Sequence, residues 1–493
     1  MKNKIAMIAV IIGVSPMLYS FCGFYVSKAD ATLKNKTSQV ILVRDGNRNV
    51  ITMYNDFRGD TKDFAMVVPV PVILQKTDVK VVDQSLFQRL NDYSAPRLVE
   101  YYDENPCDEE RYSRELQKSV SLSGRMPGVA VMDSNKDKDL GVKIEAKYIV
   151  GEYDILILSA KESGGLKAWL TVNGYKIPKG AEEVLDPYIK SNLKFFVVKV
   201  NEQEKKKLAG NFLRPIQISF NSPKFMLPIR LGMANADGDQ DLIVYAFTRK
   251  GRIECTNYRN VNMPTGNKVP LFVQKNFGAF YDNLFTNQWK KEDERISFLE
   301  YAWDVSPQNF MKCDPCIATA PTLQDLVQSG VWWLNRDWSD YSDVNDDSDV
   351  EDGNKNVHFT RLHFRYNRNG FAQDLTFQVT PNRESYQARY VITHPATGNF
   401  NCAAGKRYLQ DLKKRRKAEL MELTALTGKN IDSWQEYATA KNDEVAVTEA
   451  QYASLLPQVK DDIEHDAGSA NGLLWMGLAL AAGAGLMRWK GII

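Results

Sequence analysis

Histidine is scarce in this chain, with four in 493 residues, and no serine or cysteine nucleophile is tied to any of them by spacing. Hydrolase chemistry of the nucleophile–histidine kind therefore has no support in the sequence. Cysteine is nearly as sparse: there are six, and only Cys313 and Cys316 form a close pair. Zinc would want a second pair of Cys or His at similar spacing, and none exists. An excess of one charge is also missing. With 63 basic against 61 acidic side chains and a net charge of +2, no global field argues for nucleic acid or a strongly acidic partner. No repeat recurs at a fixed period, and strands do not alternate regularly with helices, which argues against solenoids and doubly wound parallel sheets.

What is present is an ordinary globular composition, 44% apolar and 25% charged, long enough for roughly three units of about 150 residues. Both ends carry address information. Lys2 and Lys4 precede the apolar run Ile5–Leu18, which is too short to span a bilayer comfortably, and Ser20 follows. Residues 1–20 read as a secretory signal cut after Ser20. Cys22 is a poor lipid-attachment site, because Phe21 puts a bulky ring where such signals want a small residue. At the other end, Gly472–Met487 gives sixteen uncharged residues followed by Arg488 and Lys490. That is a helix of about 24 Å, a little short of a ~30 Å hydrocarbon core. Basic residues on its C-terminal side place a short tail, 488–493, in the cytoplasm and the body outside. The expected localisation is the cell membrane, as a single-pass protein. An acidic, polar stretch over 442–471 reads as a stalk.

The body reads as α+β, with antiparallel sheets, interspersed helices and a more helical C-terminal part. Strands at Ser38–Arg44 and Asn49–Asn55 flank Asp45-Gly46-Asn47-Arg48, a hairpin signature. Pro69 and Pro71 push "DFAMVVPVPV" toward a sheet edge or exit, and "DQSLFQRLNDY" reads as a helix opened by Asp83. Further strands follow in "KIEAKYIV", "YDILILSA", "LKFFVVKV", "PIQISF", "MLPIRL" and "DLIVYAF". After Phe280 the pattern turns helical through "YDNLFTNQWKKEDERISFLEYAW", then returns to strands in "VHFTRLHFRY", "DLTFQVT" and "YQARYVITH". Helices are expected at Gly405–Thr427, closed by Gly428, and at about 432–440. The expected division is a core over 21–280 and a second α+β part over 281–441.

In order along the chain, "FCGFYV", "GDTKDFAMVVPVPV", "LKAWLTVNGYKIP", "LPIRLGMANADGDQDLIVYAF", "EYAWD", "KCDPC" and "FTRLHFRY…DLTFQV…QARYVITHP" resemble the bacterial family called domain of unknown function 2330. The resemblance runs from about Phe21 to Thr427. It implies an exported bacterial protein and carries no reaction, substrate or catalytic residue to transfer.

Outside the cytoplasm cysteines tend to pair, so Cys22, Cys107, Cys255, Cys313, Cys316 and Cys402 are all disulfide candidates, with fifteen connectivities open. In Cys313-Asp314-Pro315-Cys316 the next helix starts at Thr322, too far on for its dipole to stabilise a thiolate. A structural staple is the favoured reading, with a redox pair as its rival. On the strand 357–366, alternation puts Arg361, His363 and Arg365 on one face. With His394 closing the neighbouring strand they could hold an anion, although the same pattern describes a solvated sheet face. Asp343, Asn345, Asp347, Asp349 and Glu351 offer oxygen ligands at alternating spacing. Ser348 stands where a calcium loop of helix-loop-helix type needs glycine, so calcium is a weak expectation and no other cofactor is indicated. Lys413, Lys414, Arg415, Arg416 and Lys417 would project five cations from a helix toward anionic lipid or a cell-envelope polymer. The function expected is binding or scaffolding at the cell envelope, with a protein partner left open. Thiol–disulfide exchange and calcium-dependent adhesion are the alternatives.

Overall fold

The runs "VILV" (40–43), "ILIL" (155–158), "FFVV" (195–198) and "LIVYAF" (242–247) are apolar at odd and even positions alike, and strands of that kind need cover on both faces. The computed structural model supplies it. It describes residues 24–25, 37–54, 65–107, 142–173, 181–208, 213–233, 238–334, 355–367, 371 and 373–430. The signal at 1–20, Cys22, the Asp343–Glu351 stretch, the helix expected at 432–440, the stalk, the segment 472–487 and the tail lie outside them. Among the described residues no helix is long and apolar enough to cross a membrane.

The chain divides into two units, each gathered from three stretches. Unit 1 takes 1–95, 127–262 and 293–387, and unit 2 takes 96–126, 263–292 and 388–493. The boundary expected near 280 is therefore corrected. A linear cut there would separate strands that hydrogen-bond in one sheet.

In unit 1, a five-stranded antiparallel sheet has the order β1 (Phe24–Tyr25), β4 (Ala65–Val70), β9 (Lys194–Val200), β8 (Tyr153–Ala160), β7 (Val142–Val150). A nine-stranded sheet runs β14 (Arg259–Asn262), β16 (Ile296–Asp304), β17 (His358–Tyr366), β12 (Gln240–Thr248), β2 (Thr37–Asp45), β3 (Arg48–Tyr54), β10 (Ile216–Asn221), β5 (Val79–Val81). The ninth strand, β19 (Tyr386–Gln387), pairs β16 off this path. A small sheet of β11 (Met226–Leu227), β18 (Leu375–Val379) and β13 (Ile253–Cys255) completes the set.

The expectation of purely antiparallel pairing is corrected in the large sheet, where β2 runs parallel to β12 and β14 to β16. Parallel neighbours need a long crossover, and between β3 and β12 the chain makes four of the five strands of the five-stranded sheet, all but β1. The β2–β3 hairpin forms as expected. Asp45 pairs with Arg48 across Gly46-Asn47, and Gly46 takes φ +54° at the first central position, which suits a glycine.

Three cores stack through this unit. Val40, Leu42, Val244 and Phe364 of the large sheet meet Met66, Val68, Ile157 and Phe196 of the small one. On the far side of the large sheet, Ile41, Val43, Tyr245 and Phe359 pack under Leu86, Phe87 and Leu90 of α1 (Ser85–Ser94) and Leu326 of α7 (Leu323–Ser329). On the far side of the five-stranded sheet, Leu156, Leu158, Phe195 and Val197 lie under Trp169 of α2 (Ser163–Val172) and Leu185 of α3 (Ala181–Lys190). The result is a β-sandwich with helices on both outer faces. Two short helices, α4 (Glu202–Lys205) and α5 (Arg230–Met233), sit in connections. The strand expected over "MLPIRL" is only β11, because the chain turns into α5 after Pro228.

Unit 2 holds a parallel sheet of β15 (Asn267–Lys268), β20 (Arg389–His394) and β6 (Arg97–Tyr102). It also holds α6 (Phe277–Lys291) and α8 (Ala403–Thr427), which ends at Gly428 as expected. Asn287 of α6 donates Nδ2 to the Leu426 carbonyl at 2.8 Å and Lys291 reaches that of Ala425 at 3.1 Å, satisfying carbonyls that a helix end leaves open.

Candidate functional site

A strand whose one face is covered by a helix cannot leave cations there unpaired, and β17 shows the answer. Arg361 and His363 both reach Glu300 of β16, whose side chain is 0% exposed: Arg361 Nε at 2.5 Å and His363 Nδ1 at 2.7 Å. Arg361 also donates to Asn91 Oδ1 of α1 at 2.9 Å and lies over the Tyr245 ring. Arg365 makes a two-pronged pair with Asp241 of β12, at 2.8 and 3.0 Å. Burial works against the His363 charge, but Glu300 and Asp241 together raise its pKa. Asp241 is buried too, yet bonds from His363 and Arg365 hold its carboxyl well below the usual range. The face expected to meet an anion or water is thus a ladder of internal ion pairs, its anions supplied by the protein. Asp241 stands near the start of β12, just ahead of its apolar run 242–247.

The expectation that His394 closes a strand neighbouring β17 in a sheet is corrected, because its strand pairs β15 and β6. His394 ends β20 in unit 2, where its ring stacks on Tyr102 at 4.4 Å and its Nε2 lies 2.8 Å from Glu100. The five cations of α8 are also redistributed. Arg416 is 3% exposed, pairs with Glu419 at 2.6 Å and donates to the Thr393 carbonyl. Arg415 pairs with Asp103 at 2.5 Å, an acid that Tyr408 also bonds. Burial raises the Asp103 pKa, but these partners outweigh it and the net shift is downward. Lys413 and Lys414 are exposed, Lys414 beside Asp411. The projection of five cations is corrected: an arginine inside the apolar stripe turns inward because Glu419 neutralises it there.

Two disulfides form, Cys107–Cys402 in unit 2 and Cys313–Cys316 in unit 1. Cys255 does not pair. It is a buried thiol, 3.3 Å from Asn257 Oδ1, and burial pushes its pKa up. Around Cys313–Cys316 the backbone is pinned by Tyr301 and Tyr93, whose hydroxyls both donate to the Lys312 carbonyl, and by Trp303 Nε1 on the Met311 carbonyl. Cys313 is buried and Cys316 is exposed. The helix after them is α7, with Thr322 and Asp325 forming its capping box as the sequence suggests. Among the described residues no group of His, Cys, Asp or Glu could hold a metal ion.

Unit 1 also has a feature the sequence did not disclose, a cleft of about 320 Å³. Apolar side chains of β3, β4, β10 and β11 line it, and α3 closes one side with Tyr188. Asp374 forms a polar wall. Its Oδ1 accepts from Tyr188 Oη at 2.6 Å and from the Ile229 and Arg230 amides at 3.0 and 3.1 Å. Burial raises the Asp374 pKa against those donors, and burial beside Asp374 raises that of Tyr188. Lys224 and Arg230 stand on the same lining. Lys224 lies outside every motif quoted above, and Arg230 lies inside "LPIRLGMANADGDQDLIVYAF", which carries no assigned role, so no signal marked either as a site residue. Glu300 does have one: a lone acid in the apolar run "ISFLEYAW" must be exposed or paired.

Unit 1 is thus an α+β sandwich with internally paired charges and a mainly apolar cleft. The chain belongs to the family described as domain of unknown function 2330, uncharacterized protein conserved in bacteria, whose model matches residues 16–378. The match ends within β18, so the five-stranded sheet and the main path of the large sheet fall inside it. It stops short of Thr427, where the resemblance read from the sequence ends. No curated protein and no solved structure matches the chain.

Proposed function

We propose that the chain is an exported bacterial envelope protein, anchored in the membrane by residues 472–487, whose sandwich unit binds a ligand in its cleft outside the cytoplasm. The cleft carries the binding reading. It has the size of small-ligand pockets, about 300–1,000 Å³, and apolar walls interrupted by a few fixed polar groups. Export draws on the signal-like N-terminus and on Cys107–Cys402, because disulfides persist in oxidising compartments. The basic run of α8 contributes little to membrane contact, with Arg415 and Arg416 engaged internally.

The test is protease treatment of intact and osmotically opened bacterial cells, with alkylation under non-reducing conditions. The body should be cut only from outside the cytoplasm, sediment with membranes after an alkaline wash, and leave Cys107 and Cys402 unlabelled. Truncation after Ala470 should release it. A body protected until the cytoplasm is opened, or labelled thiols at those two positions, overturns the localisation. A second reading, thiol–disulfide exchange at Cys313 and Cys316, draws on the exposure of Cys316. It lacks a helix start behind either sulfur, since α7 begins at Leu323.

A further inference from the structure

We infer that the cleft of unit 1 takes a single-chain amphipathic anion: one apolar tail ended by a carboxylate or phosphate head. This rests on the reading of the cleft as a binding site and adds the class of ligand. The tail is argued from the floor, where Met53, Val68, Ile218 and Leu227 present apolar side chains from strands of both sheets. The volume of about 320 Å³ lies at the small end of the range for ligand pockets, which suits one chain rather than the two of a bilayer lipid.

The head is argued from charge. Lys224 and Arg230 both line the cleft, and among the described residues neither side chain has a hydrogen-bond or ion-pair partner; only their backbone amides are bonded. The acid on the lining answers them only in part, by an electrostatic attraction between Asp374 and Arg230 without a direct ion pair. Asp374 Oδ1 is occupied by Tyr188 and two backbone amides, and its burial disfavours the charged form. Two cations beside an apolar floor are complementary to an anion that brings its own apolar surface. A bare anion would meet only a half-buried and an exposed cation in water, where such contacts are weak. An uncharged chain would leave both cations unused.

The experiment titrates the full-length protein in a mild nonionic detergent with dodecyl phosphate below its micelle concentration, dodecanol, inorganic phosphate and phosphatidylglycerol vesicles. Tryptophan fluorescence and calorimetry are the readouts. Dodecyl phosphate should bind, dodecanol should bind at least tenfold more weakly, and inorganic phosphate should give no saturable signal. Lys224→Ala and Arg230→Ala should each weaken dodecyl phosphate about tenfold, the loss of one charge-assisted contact, and leave dodecanol unchanged. Ser191→Trp, an exposed change at the cleft mouth, should abolish both, with an unaltered melting temperature showing that the fold is intact. If dodecanol matches dodecyl phosphate and the cation variants have no effect, the ligand class is wrong while the cleft remains a binding site. If neither chain binds, or Ser191→Trp changes nothing, the cleft reading falls as well. Binding to vesicles alone overturns the single-chain ligand in favour of a bilayer lipid.

Discussion

Removing the charge of Glu300 is the sharpest test of how the large sheet is held together. The carboxylate is 0% exposed and serves Arg361, itself 5% exposed, and His363, 12% exposed. Glu300→Gln keeps the shape but leaves a buried guanidinium without its counter-ion. Breaking a buried pair from one side costs about 3–5 kcal/mol, a large part of the ~5–15 kcal/mol that domains have. The companion variant Glu300→Leu with Arg361→Met removes both charges and should cost much less, since apolar replacement of a whole buried pair is often near neutral. Urea unfolding of the full-length protein, followed by tryptophan fluorescence, measures both.

A second readout comes from pH. Glu300 and Asp241 raise the folded pKa of His363 above its unfolded value, so its contribution is complete below about pH 6.5 and lost as pH rises through the folded value. In Glu300→Gln that alkaline decline should largely vanish. A loss below about 1 kcal/mol for Glu300→Gln, or an unchanged pH profile, refutes the role given to this network.

Other outcomes follow from single features. His358 is 0% exposed, neither ring nitrogen has a hydrogen-bond partner among the described residues, and burial lowers its pKa to about 4. Its unfolded form binds a proton first, so stability should fall between about pH 6.5 and 4, by roughly 3 kcal/mol in all, and His358→Phe should flatten that limb in an acid denaturation series. Reducing Cys107–Cys402, with a sequence separation of 295, should cost unit 2 about 5 kcal/mol. Reducing Cys313–Cys316, three residues apart, should cost about 2 kcal/mol by the same loop-entropy argument; melting curves of the two double-serine variants compare them. A methyl group on Gly405 would meet Cys107 Sγ and the Phe400 carbonyl at 2.7 Å. Gly405→Ala should therefore impair formation of Cys107–Cys402, visible as free thiol on non-reducing gels, and normal oxidation would contradict the packing described.

Local chemistry was legible wherever it repeats along the chain. The β2–β3 hairpin, the Thr322–Asp325 capping box and the Gly428 end of α8 are each written in three or four neighbouring residues, whereas the cap position of α1 falls on Gln84 and Asp83 only accepts from the Ser85 amide. Pro69 also behaves as expected: it pairs Phe195 on one side, while β1 meets β4 only at Met66 and Val67. The reading failed where burial removes alternation. In β16, Ile296–Ala302 are all buried, so the period of two disappears and the stretch blends into the preceding helix. It failed again where partners are distant. Arg361, His363 and Arg365 share a face as alternation says, but only the sheet order brings Glu300 and Asp241 to them. "YQARYVITH" looks continuous, yet β19 joins the large sheet while β20 joins unit 2. The cleft left no trace, because four separate strands and α3 contribute to it.

The order of strands in the large sheet also governs how the protein can be made. β2 and β3 are synthesised first, but the outer edge of β2 is covered only by β12, some 200 residues later, and β12 in turn by β17, ending at Tyr366. A chain synthesised N-terminus first therefore presents an apolar hairpin with an open edge through most of its synthesis. Such edges recruit other chains, and contacts this remote in sequence close slowly. Fragments ending before residue 358 should aggregate when expressed, and the intact protein should depend on holding factors while it folds.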